Sequence, residues 1–153
     1  MVDEGGEGRG GTTEELSRED CFRFLQSHQV GRLGVVLKGY PVILPVNYAL
    51  DRGVVVVRTR SGSALSAADH ANVCFEVDQV DPAHRTGWSV LVRGLAEDVT
   101  DLEGDDVLRA SRAAGTDPWV GERDRWLRVI PHEVTGRRIR PRELAAVELG
   151  GYL

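Results

Sequence analysis

A two-residue alternation of apolar and polar positions runs through most of the chain from Val30 onward, and it predicts strands. Val30 to Leu37 and Tyr40 to Leu50 flank the two-residue turn Lys38-Gly39, the arrangement of a β-hairpin. Asp51, Arg52 and Gly53 make a second tight turn into the β-branched run Val54 to Thr59. Strands are further expected over Val73 to Val77 and Trp88 to Val99, with a loop of charges and turn residues, Asp78 to Gly87, between them. Trp126 to Ile130 and Val134 to Ile139 follow, Pro131 limiting the first. Helical spacing is confined to three stretches. Ser17 followed three residues later by Asp20 has the form of a capping box, and Cys21, Phe24, Leu25 and His28 share a face, so a helix is expected from about Arg18 to Ser27. A short helix from Ser63 to about His70 and a longer one over Asp101 to Ala114, its acidic first turn complementing the helix dipole, are the others. Arg140 to Leu153 is expected to be partly ordered, with a short helix.

Six strands with helices inserted between them give a mainly β, predominantly antiparallel sheet, and closure into a barrel removes its exposed edges. The regular strand-helix alternation of a parallel α/β sheet is missing. At 153 residues the chain fits one domain, large enough to bury a core without disulfides or structural metal. Met1 to Thr13 hold five of the eighteen glycines and no apolar periodicity, so residues 1–13 read as a flexible tail ahead of a single domain over 14–153. Gly6, Gly8 and Gly11 match the spacing G-x-G-x-x-G, but no strand precedes them and no helix opens at the last glycine, so the dinucleotide fingerprint lacks its context. A formal charge of −5 argues against a duplex-binding surface. No apolar run approaches the ~20 residues of a membrane span, and the N-terminus lacks the apolar core of a signal peptide. Cys21 and Cys74 read as small buried side chains, not as a bridge, and the expected compartment is a reducing cytoplasm.

The stretch VVVVRTRSGSAL, Val54 to Leu65, carries the chemistry. A strand fixes the backbone, Thr59, Ser61 and Ser63 offer hydroxyls, and Gly62 lets the main chain approach a ligand without a side-chain clash. Amides at the start of the following helix add donors, and Arg58 and Arg60 can add charge-assisted bonds. Together they suit a phosphate. The bland alternative is a strand end, an N-cap serine and a solvated arginine pair.

The order VGRLGVVLKGYPVILPVNYALDRGVVVVRTRSGSAL, VCFEVD, GWSVLVRGLAEDV and WLRVIPHEVTGRRI resembles the pyridoxamine 5′-phosphate oxidase-like, FMN-binding split-barrel proteins, and among them the short actinobacterial members compared with nitroimidazole-resistance proteins. The resemblance covers about Leu16 to Ile139. It implies a homodimer of six-stranded antiparallel split barrels with flavin sites in the clefts between subunits. Carried over by position, Pro45, Val46 and Asn47 lie beside the isoalloxazine ring, mainly through main-chain groups, while Arg58, Thr59, Arg60, Ser61, Ser63, Ala64 and Leu65 form the phosphate segment. Trp88 and Ser89 approach the cofactor from the partner subunit or line the same cleft. One departure stands out: relatives commonly carry Lys where this chain has Ala64. A lost ammonium contact is worth ~1.5–3 kcal/mol where well formed. Either Arg58 or Arg60, whose bidentate geometry can replace an ammonium, supplies the charge, or FMN binds weakly and the cleft holds something else.

The activity implied is that of an FMN-dependent oxidoreductase passing hydride or electrons to a small acceptor, with a nicotinamide donor as one reductant. A deazaflavin is the nearest cofactor variant. A non-catalytic flavin, deazaflavin or haem binding or sensing module is the alternative. No nucleophile elbow, paired-histidine zinc motif or cysteine cluster supports a hydrolase or metalloenzyme, and no catalytic side chain is nominated, because a flavin carries its own redox chemistry. His28, His70, His84 and His132 are scattered without metal-ligand spacing and read as surface or packing residues. Trp119 and Trp126 read as packing, whereas Trp88 fits either a ligand or the core. Arg137, Arg138, Arg140 and Arg142 read as a solvated basic surface.

Overall fold

A computed structural model of the chain describes residues 11–60, 62–100 and 125–141. Its elements are β1 (Thr12–Glu15), α1 (Arg18–Gln26), β2 (Val30–Leu37), β3 (Tyr40–Asp51), β4 (Val54–Thr59), a one-turn 3-10 helix (Ala64–Ala68), β5 (Asn72–Asp81), β6 (Thr86–Asp98) and β7 (Arg125–Arg140). The sheet order is β1-β7-β4-β3-β2-β5-β6, and β6 also pairs with β7. That extra pairing closes six antiparallel strands into a barrel, with β1 added beside β4 on the same edge of β7. Closure leaves the six barrel strands without a free edge over their paired lengths.

Local chemistry accounts for the first half. The Ser17 hydroxyl accepts from the Asp20 N–H at 3.1 Å, starting α1 where the cap was expected, and Cys21 and Leu25 face inward to close the barrel on one side. Lys38 and Gly39, and then Arg52 and Gly53, all take positive φ, the two-residue turn whose twist matches the flanking strands. Alternation then sorts the side chains. Leu33, Val55, Val57, Phe75, Val77, Val90, Val92, Leu127 and Val129 are fully buried and fill the barrel. Each such aliphatic or aromatic side chain contributes about 1.5–3 kcal/mol by leaving water.

Four expectations change. A strand not expected from the sequence, β1, begins at Thr12 inside the stretch read as a tail, because Thr12 to Glu15 pair with Arg140 to Arg137. The expected loop Asp78 to Gly87 is mostly strand: β5 and β6 stay paired to Asp81↔Thr86, and only Pro82 to Arg85 turn. The Asp81 carboxylate accepts the Ala83 and His84 N–H groups at 3.0 and 3.1 Å, which organises that turn. Pro131 does not divide the last strand. Arg93 pairs with Glu133 and Gly94 with Pro131, so His132 is an extra residue and the proline sits at a bulge. A Cβ on Gly94 would lie 2.2 Å from the Ile130 carbonyl oxygen, so the bulge requires glycine opposite it. Finally, Cys74 is exposed while Cys21 is buried, and both are free thiols. Val73, Phe75 and Val77 take the inward positions of β5 and leave Cys74 on the outside.

The short helix expected from Ser63 is the 3-10 turn, and Ser63 is its N-cap. The glycine-spaced tail up to Gly10, the helix expected over Asp101 to Ala114, Trp119, and the end of the chain from Arg142 lie outside the described residues. Among the described residues no helix is long and apolar enough to cross a membrane.

Candidate functional site

The phosphate-type segment ends β4 beside an opening in the sheet. β3 pairs with β4 only from Asp51↔Val54 to Tyr48↔Val57, whereas its ladder with β2 continues through Asn47, Val46 and Pro45. Beyond Tyr48 the two strands part, and Pro45 to Asn47 are paired on their β2 side alone. Arg58 and Thr59 therefore lie just beyond the last β3–β4 pair, at the same end of the ladder as Pro45 to Asn47. Val46 is buried, Asn47 half-buried and Pro45 exposed.

Thr59 points inward and is 1% exposed, and its Oγ1 lies 2.7 Å from the Ser63 Oγ. The Ser63 N–H donates to the Arg60 carbonyl at 3.1 Å, closing the turn between them. Gly62 has φ +71, a conformation that favours glycine, and nothing lies within 4 Å of where a Cβ would stand. The turn therefore presents open backbone next to a hydroxyl pair, a combination that suits an anion's oxygens. Leu65 is buried in the main core and anchors the turn, while Ala64 is exposed and offers no charge. Ser61 lies outside the described residues.

The two arginines part ways. Arg58 alternates with Thr59 and projects to the other face of β4, its guanidinium 5.2 Å from the centre of the Trp126 ring. That ring packs with Val56 and Val99 in a small second core, so Trp126 is a packing residue. Arg60 is exposed at the mouth of the turn. Nearby, Arg125 donates to Asp98 at 2.7 Å and Arg128 donates twice to Glu97, at 2.9 and 2.7 Å. Burial opposes ionisation of Asp98, but hydrogen bonds from Arg125 and Thr100 outweigh it and hold the carboxyl below its usual range.

Trp88 and Ser89 belong to a different part of the barrel. Ser89 faces Arg137 on β7, far along that strand from Arg125, the residue that faces Thr59; in the other direction β3, β2 and β5 intervene. Trp88 stacks on Phe24 of α1 with ring centres 4.3 Å apart and meets His28 edge-on at 4.8 Å. Both Trp88 and Ser89 line a cavity of about 530 Å³ beside the β5–β6 turn, together with Arg85 and Arg137.

Sequence reading missed those two arginines. Arg137, Arg138 and Arg140, expected as one solvated basic surface, are dispersed by strand alternation. Arg137 lines the cavity, Arg138 lies 5.2 Å over the Phe24 ring and Arg140 pairs with Glu14 at 3.0 Å. The period-2 pattern of β7 already separates odd from even positions. A second groove, about 450 Å³ and largely apolar, lies outside β2, β3 and β5, with Val36, Pro41, Ile43, Cys74, Arg93 and the bulged His132 along it.

Comparison with known proteins agrees with this architecture. The chain is 39% identical over 132 residues to the uncharacterised protein Rv0080 of Mycobacterium tuberculosis, covering 82% of this chain and 84% of that one. The solved structure of an FAD-binding protein from Mycobacterium smegmatis superposes with a TM-score of 0.72 at 36% identity, over 83% of this chain and all of its own. An FAD-binding protein from Mesorhizobium loti gives 0.70 at 26% identity, over 85% of this chain and 98% of that one. The family model for pyridoxamine 5′-phosphate oxidase matches residues 17–138. With the closed antiparallel barrel and the strand order described above, this places the chain in the pyridoxamine 5′-phosphate oxidase family of split barrels.

Proposed function

We propose that two copies of this chain form a flavin-dependent oxidoreductase, acting in the cytoplasm, that passes hydride or electrons from a reductant such as a reduced nicotinamide to a small acceptor. The observation that carries it is the Thr59–Ser63 hydroxyl pair at the end of β4, past the point where β3 and β4 stop pairing. FMN is the flavin that this arrangement requires at minimum. FAD shares its ring and first phosphate, and two similar proteins are described as FAD-binding. In this reading Thr59, Ser63 and the Gly62 backbone hold the phosphate, Arg60 supplies the charge absent at Ala64, and main-chain groups of Pro45 to Asn47 flank the ring. Trp88 and Ser89 reach the same flavin from the second copy, since within one chain they sit elsewhere on the barrel.

The outward face supports pairing. Val36 and Ile43, on the same outward face of β2 and β3, are 67 and 71% exposed, apolar side chains that a second copy would cover. A bound flavin supplies the redox chemistry itself, and the protein's part is to orient the ring, exclude water from one side and admit the second substrate.

Purified protein tests this directly. A yellow preparation releasing FMN or FAD, identified by mass, and turning over reduced nicotinamide supports the reading. Tight flavin, deazaflavin or haem without turnover would make the chain a carrier or sensor instead, and colourless protein that titrates with none of them overturns both.

A further inference from the structure

We propose that Pro41 and Pro45 keep the opening between β3 and β4 clear, by denying the free edge of β3 to any further strand, whether from this chain or from a second copy. Which way each β3 residue turns its backbone follows from one bond: the Tyr48 N–H donates to the Gln29 carbonyl at 2.9 Å, on the β2 side. In an antiparallel strand the N–H and C=O of one residue point the same way, and the direction alternates along the chain. Val42, Leu44 and Val46 therefore turn theirs to β2, while Pro41, Ile43 and Pro45 turn theirs away, toward the opening. The pairing agrees. β2 runs opposite β3 without a register shift from Val30↔Asn47 to Leu37↔Tyr40, and the β4 ladder ends at Tyr48↔Val57. Among the described residues no strand takes the other side of β3 between Tyr40 and Val46.

An unpaired edge of this kind is a template for another strand. The run YPVILPV, Tyr40 to Val46, is rich in β-forming residues, and Tyr40 and Ile43 are exposed. Other guards are missing. No charged residue lies between Lys38 and Asp51, and the unbroken register leaves no bulge. β1, also an edge strand, shows the contrast: it is four residues long and ends in Glu14 and Glu15. Proline is the guard that remains on β3. It has no N–H, so of the three edge positions only Ile43 can donate, and a strand laid here would find two of its carbonyls facing a ring in place of a donor. Both prolines sit where they cost no bond to β2, because Val36↔Pro41 and Arg32↔Pro45 are the pairs of the ladder without hydrogen bonds between them. The block is a matter of backbone geometry and stands apart from the flavin proposal; only the use of the opening by a ring depends on that.

Amide hydrogen exchange on the wild type tests the geometry first. The Ile43 amide should exchange about a hundredfold faster than those of Val42 and Leu44, which face β2. Pro41→Thr combined with Pro45→Thr then returns both N–H groups without adding apolar surface. In sedimentation over a concentration series, this double variant should form species larger than those of the wild type, with onset at about tenfold lower concentration. The amides of residues 41, 43 and 45 should be protected in those species, and each single variant should show the same trend to a smaller extent. Amides of β5 and β6 report that the barrel is intact. Pro82→Thr, in the β5–β6 turn, loses a proline without touching the edge and should sediment as the wild type does. A wild-type Ile43 amide as protected as its neighbours would mean that the edge is already covered, and overturns the proposal. So does a double variant that keeps the wild-type size with those three amides exchanging freely, or assembly of Pro82→Thr to the same extent. None of these readouts involves flavin, so their failure and that of the oxidoreductase reading are told apart.

Discussion

The Thr59 and Ser63 hydroxyls lie 2.7 Å apart and join the last residue of β4 to the N-cap of the 3-10 turn. Thr59 is almost fully buried, so its hydroxyl needs this partner, and the pair is oriented before any ligand arrives. Thr59→Val keeps the shape and removes the donor and acceptor. A thermal melt should register a loss of no more than about 1.5 kcal/mol, the worth of one neutral hydrogen bond. Flavin affinity, followed by fluorescence quenching, should fall at least tenfold, a much larger relative effect than the change in stability.

Tyr48 offers a test of the barrel that is separate from the site. Its phenol donates to the Leu25 carbonyl at 2.5 Å, tying the last turn of α1 to β3, and its ring meets Phe75 edge-on. Burial pushes the phenol far above its ordinary value of 10.0. The unfolded chain therefore releases this proton from about pH 10 upward while the native chain retains it. The native state then binds more protons, and stability falls as pH rises. Tyr48→Phe leaves the carbonyl unsatisfied and should cost about 1–3 kcal/mol below pH 9 in urea unfolding. The same variant should lose the Tyr48 part of the alkaline decline.

Local signals carried much of this fold into the sequence. The Ser17 cap, the Lys38-Gly39 and Arg52-Gly53 turns and the alternation of β2 to β4 each depend on residues close in the chain. What escaped reading depends on distant partners. Asp78 to Gln79 are polar and look like a loop, yet they pair because Trp88 and Ser89 lie opposite them. Pro131 looks like a strand end, yet Gly94, thirty-odd positions earlier, makes room for a bulge. The hydroxyl half of the candidate site was legible because it is one continuous segment. Arg85 and Arg137 meet at one cavity only after the barrel closes, and nothing in their spacing announces it.

Asp98 is the acidic counterpart of Tyr48. It accepts from Arg125 at 2.7 Å and from the Thr100 N–H at 3.0 Å, linking the end of β6 to the start of β7. Those bonds hold its carboxyl below the ordinary range despite the opposing effect of burial. The stabilisation is present above the unfolded-chain value near 3.9 and is lost as pH falls through the lower native value. Asp98→Asn should cost about 1–3 kcal/mol near neutrality, because Arg125 loses a charged acceptor at a half-buried position. Its stability should then vary less between pH 5 and pH 2 than that of the wild type, measured by chemical denaturation across that range.

Ile43 tests the pairing of two copies without disturbing the barrel. It is 71% exposed, faces away from the core, and lies beside Val36 and Pro41 along the outer groove. A carboxylate there meets water in a single chain and costs that chain little. At an interface it removes one buried aliphatic side chain from each copy, about 3–6 kcal/mol in total, and adds two carboxylates that lose solvent. Ile43→Asp should therefore leave the thermal melt of the separated chain nearly unchanged and weaken the dimer at least a hundredfold by sedimentation. If Trp88 and Ser89 of one copy complete the flavin site of the other, flavin binding falls in step with the dimer fraction as protein is diluted. Wild-type flavin affinity in a fully monomeric variant would place the whole site within one chain and remove the role assigned to the second copy.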